Sequence, residues 1–487
     1  MRRKQAMRLI LSAASLVLAL PLLARGAEPK RINPETYTFT WAEFEKHKKA
    51  LDDPRPVLKE FGLKQILPAS VYSHLVAEPE DMKKAWSELV GFKAPDVVGK
   101  IAPEIKPGKY TYKDLSQHPG FKQLMTPDLY NRIKPGAPPH SGNIPEFEII
   151  PTREYYWSLG ISEMTKKNLG KTKLDDKGYV IGSTWAGGYP FPRPSGPFKA
   201  QQIMANVEKR YLSFGHEVWL VNYGLGFNKN LKIDFAGIDT VRRMSLAGRA
   251  VFPPYGTYDK RAEELGETGT ALVVFETPRD MAGLGLEQIY YRDPLKPDLN
   301  LMYIPSFRRV KKMSATDTQD AIGGQDLIYE DQEGWGQKLS PQRYPYKMEI
   351  IEEREYLVMA PTIDGAEYVS SKGNYEFRNV RLERRPLYVV KLTQQDKNYV
   401  YGSRILYIDQ ENFNFYHIAN YDQKGRLYRT FDLNPGWHPE MGHMSWFGAF
   451  AHFRDHIDLH SNVIMGAAIP AAWDREDIKL EGRKGLK

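Results

Sequence analysis

"YGSRILYIDQENFNFYHIANYDQKGRLYR", residues 401–429, decides the fold class. Short runs rich in aromatic and β-branched residues are separated by two turn clusters, Asp409 to Asn412 and Asp422 to Gly425. Strands joined by connections this short must pair antiparallel, because a parallel partner needs a crossover of a dozen or more residues. Runs of the same kind lie upstream: "HEVWLVNYG", "TALVVFETP", "LNLMYIPSF", "MEIIEEREYLVMA" and "RRPLYVVKL". A mainly β chain with some α-helix is expected. In "VWLVNY", "LMYI" and "RILYI" both parities are largely apolar, whereas a sheet with one wet face would alternate. Both faces are therefore expected to be covered.

Outside these strands the pattern changes. "EPEDMKKAWSELVGF" and "TWAEFEKHKKALDD" have the helical period and acidic first turns. "STWAGGYPFPRPSGPFKAQQIMANVEKRYLSF" reads as a turn-rich loop and then a helix, with Ser195 as cap, Pro197 in the first turn, and Ile203, Val207 and Tyr211 on one stripe. "IKPGAPPHSGNIP", residues 133–145, reads as a connector and domain boundary. The expected organisation is a signal peptide over 1–26, a helical and loop-rich region over 27–146, a β domain over 147–470 and a tail over 471–487.

The signal peptide is read from "MRRKQAMRLILSAASLVLALPLLARGAEPK": a basic head, an apolar run from Leu9 to Leu23, and small residues at Ala24 and Gly26. It implies export and a periplasmic location. The chain has no cysteine, so neither a disulfide nor a lipid-modified N-terminal cysteine is available. Of the 68 basic residues five lie in the first 26, which leaves 63 against 60 acidic ones and removes most of the formal +8. Nucleic-acid binding gains no support from that balance.

Five of the 11 histidines fall in "NPGWHPEMGHMSWFGAFAHFRDHIDLH". His452, His456 and His460 share one parity with Phe450, Arg454, Asp458 and Asn462, while Phe453, Ile457, Leu459 and Val463 hold the other. That alternation predicts a terminal strand with a polar, wet face, on which residues four apart stand ~13 Å from each other, too far to share a zinc ion. His438, Met441 and His443 in "WHPEMGHM" are the candidates for a soft metal such as copper. No H-E-x-x-H, G-x-S-x-G or P-loop occurs, and "GLGFNKN" and "GLGLEQ" lack the third glycine of a dinucleotide loop. No cofactor and no catalytic residue is expected. The basic run Arg308, Arg309, Lys311, Lys312 either meets anionic headgroups or a membrane partner, or pairs with Asp326, Glu330 and Asp331.

"LNLMYIPSFRRVKKMSATDTQDAIGGQDLIYED" resembles a large family of uncharacterised bacterial periplasmic proteins, a domain of unknown function related to the outer-membrane lipoprotein-sorting proteins (LolA/LolB-like). The matching positions are Tyr303, Pro305, Arg308, Arg309, Lys311, Lys312, Ser314, Gly324, Asp326, Tyr329, Glu330 and Asp331. "YGSRILYIDQENFNFYHIANYDQKGRLYR", "GGYPFPRP" and "IIPTREYY" are similar to the family as well. The resemblance spans most of residues 115–465. It implies a curved antiparallel half-barrel with lid helices over an apolar cavity, and a carrier of lipid or another hydrophobic ligand working with an inner-membrane transporter and an outer-membrane barrel. Large apolar positions on the central-looking strands are the expected cavity wall: Trp219, Val221, Tyr223, Phe275, Leu301, Tyr303, Ile405 and Tyr407. The alternatives left open are a copper-binding protein or metalloenzyme, and a scaffold for a membrane complex.

Overall fold

The computed structural model describes residue 64 and residues 69–480, apart from 213, 315–316, 323–324, 362–367, 370–374 and 471–474. The expected signal peptide and the helix expected at 40–53 lie outside the described residues. No helix among those described is long and apolar enough to cross a membrane.

Strands dominate: β1 (Gly108–Thr111), β2 (Glu146–Ile149), β3 (His216–Phe227), β4 (Ile233–Ser245), β5 (Glu267–Thr277), β6 (Gly285–Tyr291), β7 (Leu299–Ile304), β8 (Arg309–Lys312), β9 (Tyr346–Met359), β10 (Tyr368–Val369), β11 (Phe377–Arg378), β12 (Val380–Gln394), β13 (Ser403–Asp409), β14 (Phe415–Tyr421), β15 (Leu427–His438), β16 (His443–Asp455) and β17 (Ser461–Pro470). All but β10 and β11 join one 15-stranded sheet, in the order β1-β2-β12-β13-β14-β15-β16-β17-β3-β4-β5-β6-β7-β8, with β9 along the length of β12. Only the β2–β12 pair is parallel. The sheet is open: β1 and β8 are its ends and do not pair with each other.

The meander at 401–429 forms as its turns require. Asp422 Oδ1 accepts from the backbone N–H groups of Lys424 and Arg426, at 2.9 Å each, and Gly425 takes the left-handed conformation. At the other turn Asp409 Oδ1 accepts from Glu411 N and Asn412 N.

Both faces of the sheet are covered. On one, Val390, Leu406, Ile418, Phe431 and Phe453 form a row of adjacent partners across β12–β16, buried with Trp86, Ile161 and Ile203 of the helices Pro79–Val90, Leu159–Asn168 and Lys199–Glu208. On the other, Leu225, Val463 and Phe450 pack with Phe121, Leu124 and Leu129 of the short helices Gly120–Leu124 and Pro127–Arg132. Helices thus cover both faces of the sheet.

Three local expectations need correction. The helix after "GGYPFPRP" begins at Lys199, not at Pro197, because Ser195 N–H bonds to Gln202 Oε1 instead of capping. The 133–145 connector is not a loose boundary: Ser141, Gly142, Asn143 and Ile144 are buried, and β1 and β2, on either side of it, pair with each other. The polar-faced strand 450–462 does not exist as such. β16 ends at Asp455, residues 456–460 turn, and Phe450, His452 and Arg454 are buried under the 127–143 segment. The parity was read correctly, but polar residues there serve a buried network and not water.

Candidate functional site

Residues 317–322 and 325–334, after β8, lie over the first face of the sheet and line a cavity against β3–β6. Its volume is about 100 Å³. The floor exists because two glycines meet: Gly224 and Gly237 are partners in register on β3 and β4, and neither contributes a side chain. Val241, Val273 and Leu286, successive partners across β4, β5 and β6, continue it as an apolar row, with Phe275 beside them. Ile322, Gln325, Leu327, Gln332 and Glu333 form the strap above.

The strap is held by the acids of the "GGQDLIYED" run. Asp331 Oδ1 takes the Arg404 guanidinium at 3.0 Å, and the Tyr401 hydroxyl donates to its other oxygen at 2.5 Å. Arg404 also donates to Gly334 O and Asn420 Oδ1, so β13 and β14 grip the strap from below. Glu330 accepts from the hydroxyls of Tyr344, Tyr399 and Thr318. At the near end Asp326 N–H donates to Asn462 Oδ1, and Asp326 faces His460; burial pushes its carboxyl up to about 6, opposed by that histidine. Asp326, Glu330 and Asp331 therefore have partners other than the basic run, and the expected pairing with Arg308 or Arg309 is not made.

The cavity is apolar at one pole and polar at the other. Arg243 is paired with Glu333 and lies 3.7 Å from Glu217. Asp239 is only 9% exposed and accepts both its hydrogen bonds from Asn222 Nδ2, at 3.0 Å each. Burial pushes the Asp239 carboxyl up to about 7, an effect that Asn222 opposes and Glu276 reinforces.

Among the expected wall residues, Phe275 lines the cavity. Tyr223 packs in the core of the opposite face, Leu301 and Tyr303 join a cluster with Met244 and Leu272, and Ile405 and Tyr407 pack with Val389 and Tyr416. These five do not line the cavity. Where both parities of a strand are apolar, sequence does not say which one faces the space. The side chains of Trp219 and Val221 lie outside the described residues. Asn222 and Asp239 were missed; the glycines of "NYGLGF" and "DFAGID", inside strands, were the available signal.

Arg308, Arg309, Lys311 and Lys312 are exposed on the β7–β8 hairpin, at the sheet's edge, with Phe307 69% exposed between the strands. Register places Lys311 beside Met302, and Met302 beside Leu286, so the row that floors the cavity runs out to the basic edge.

His438 and His443 are register partners flanking a tight turn, and Met441 and Met444 are buried. Burial pushes His438 down to about 4, its Nε2 lies 2.9 Å from Ser445 Oγ, and His443 stacks on Phe214 at 4.6 Å. The loop expected to wrap an ion is a packed hairpin. Asp128, His417 and Asp432 bring ligand atoms within 4.8 Å of one another. Arg454 pairs with Asp128 and Arg132 with Asp432, so two guanidinium groups already neutralise those carboxylates and would repel a cation. Ser141 Oγ lies 3.3 Å from His452 Nε2, but His452 Nδ1 is 3.9 Å from Asp432, whose nearer partners are Arg132 and His417. Both Ser141 and His452 are fully buried, so the three residue types do not make a working triad.

A family model for a protein of unknown function, DUF1329, matches residues 131–469. The chain belongs to this family. Among solved structures it is similar to a domain described as an outer membrane lipoprotein-sorting protein from Vibrio parahaemolyticus, at 15% identity over 57% of this chain and 95% of that one, with a TM-score of 0.40. A DUF1329 family protein from Desulfovibrio piger aligns at 14% identity over 57% and 96%, TM-score 0.38. A LolA superfamily protein from Nitrosomonas europaea aligns at 13% over 57% and 97%, TM-score 0.36. No curated protein matches.

Proposed function

We propose that this protein is a periplasmic carrier that holds a lipid or other hydrophobic ligand by burial, without chemistry. The observation that carries the reading is the cavity between the β3–β6 face and the strap. An apolar cavity of ~150 Å³ accommodates a benzene ring, so this one takes only a few methylenes with the strap in place. Each buried methylene is worth about 0.8 kcal/mol, and a longer chain must lift the strap to gain more. Loading and strap position are thereby coupled, which suits a carrier that must also let go.

The edge hairpin fits the delivery end. Its four cations and exposed Phe307 are the combination that holds a protein to an anionic lipid surface, with charge drawing it in and the ring inserting at the headgroup level. An inner-membrane transporter and an outer-membrane barrel are the proposed partners.

Native mass spectrometry of protein released from the periplasm without detergent tests the reading. The expected result is a co-purifying mass of several hundred daltons that solvent extraction removes, and that is lost when Val273→Phe fills the cavity. A bare wild-type protein would sink the carrier reading and favour a scaffold.

A further inference from the structure

The charged residues on the cavity wall are not equivalent. Arg243 and Glu333 are paired with each other, whereas Asp239 carries no cationic partner at all among its hydrogen bonds. A buried carboxylate offers about four acceptor sites, and Asn222 fills two of them with one amide nitrogen. Asn222 Oδ1 is itself buried and without a partner. A buried carboxyl whose only partner is a neutral amide, and an unpartnered amide oxygen on the adjacent strand, thus lie at the edge of an apolar floor. Unpaired buried acceptors are destabilising, and a donating group would remove that cost.

Resting on the carrier reading, we propose that the ligand is an amphiphile with a hydrogen-bond-donating head, an alcohol or a primary amine. The head sits between the Asp239 carboxyl and Asn222 Oδ1, and the carbon chain lies along Val241, Val273 and Phe275. An anionic head fits the same place poorly: a fatty carboxylate has no hydrogen to donate to Asn222 Oδ1, and it meets a like charge whenever the Asp239 carboxyl is ionised. The basic hairpin does not alter this, because Lys311 lies on β8, beyond β6 and β7 from the cavity wall.

The test uses the mature protein, delipidated, with an apolar fluorescent dye as reporter and octan-1-ol, octylamine and octanoate as competitors. We expect the dye to bind, and the alcohol or the amine to displace it at least tenfold better than octanoate. Asp239→Asn should bring the preference for the amine over octanoate below threefold. If the dye binds and the three competitors act equally in wild type, the donor-head inference is wrong and the carrier reading stands. If octanoate is the best competitor, the inference is overturned in favour of an anionic ligand. If neither the dye nor any competitor binds, the carrier reading fails and takes the inference with it. The wild-type ranking decides the matter even if the variant does not fold.

Discussion

Arg385 shows what a single residue does in this protein. It is fully buried and donates to Asp409 Oδ2 at 2.7 Å and Glu411 Oε2 at 2.6 Å, with Glu383 at 3.4 Å. Glu411 in turn accepts from Ala94 N and Tyr155 N, so the β13–β14 turn holds two N-terminal segments through one carboxylate. Arg385→Met leaves Asp409 and Glu411 without their cation, Glu383 keeping Arg153, and should cost about 3–5 kcal/mol, read as a lower urea midpoint. His438 makes a second prediction. Its folded pKa is depressed to about 4 from 6.5, so between those values the unfolded chain binds the proton that the folded chain refuses. Stability is then present above pH 6.5 and lost as pH falls through 6.5 towards 4. Comparing denaturation at pH 7 and pH 4.5, His438→Gln should lose roughly 2 kcal/mol less than wild type. Burial of these residues was not legible: Arg385 sits in "RRPLYVVKL", and nothing in that run distinguishes a buried arginine from a solvated one.

Among the elements, β8 is the one with two tasks. As the outer strand of an open sheet it presents unpaired backbone groups, and its Arg309, Lys311 and Lys312 oppose edge-to-edge pairing with another copy. The same cations suit anionic lipid. Vesicles containing phosphatidylglycerol should co-sediment the protein at low salt and release it at high salt, and Arg309→Glu with Lys311→Glu should abolish binding while leaving the cavity's ligand in place. Retained binding in that double variant would remove the hairpin from the proposal. The strap is the other decisive element. The family-like run at 324–331 was visible in the sequence, but the use of Glu330 and Asp331 as anchors was not, since Tyr399, Tyr401 and Arg404, which hold them, lie some seventy residues away. The β13–β15 meander was legible up to Leu433, because its turns are local and each is closed by its own aspartate; the run of β15 on to His438 was read as loop. β16 was legible in parity and misread in environment.

At the scale of the whole molecule, the open sheet has cores on both faces, and the cavity of the candidate site lies on the first. The mainly β class, the antiparallel sense of the 401–429 meander and the need for cover on both faces followed from the sequence by itself, because turn chemistry and side-chain alternation are short-range properties; β4, β6 and β17 were not read from it. Which face holds the space, which acids pin the strap and which histidines meet water were decided by the tertiary structure alone. The physical reason is that an apolar residue looks the same whether it lines a core or a cavity. A charged one looks the same until its partner, on a distant strand, is in place.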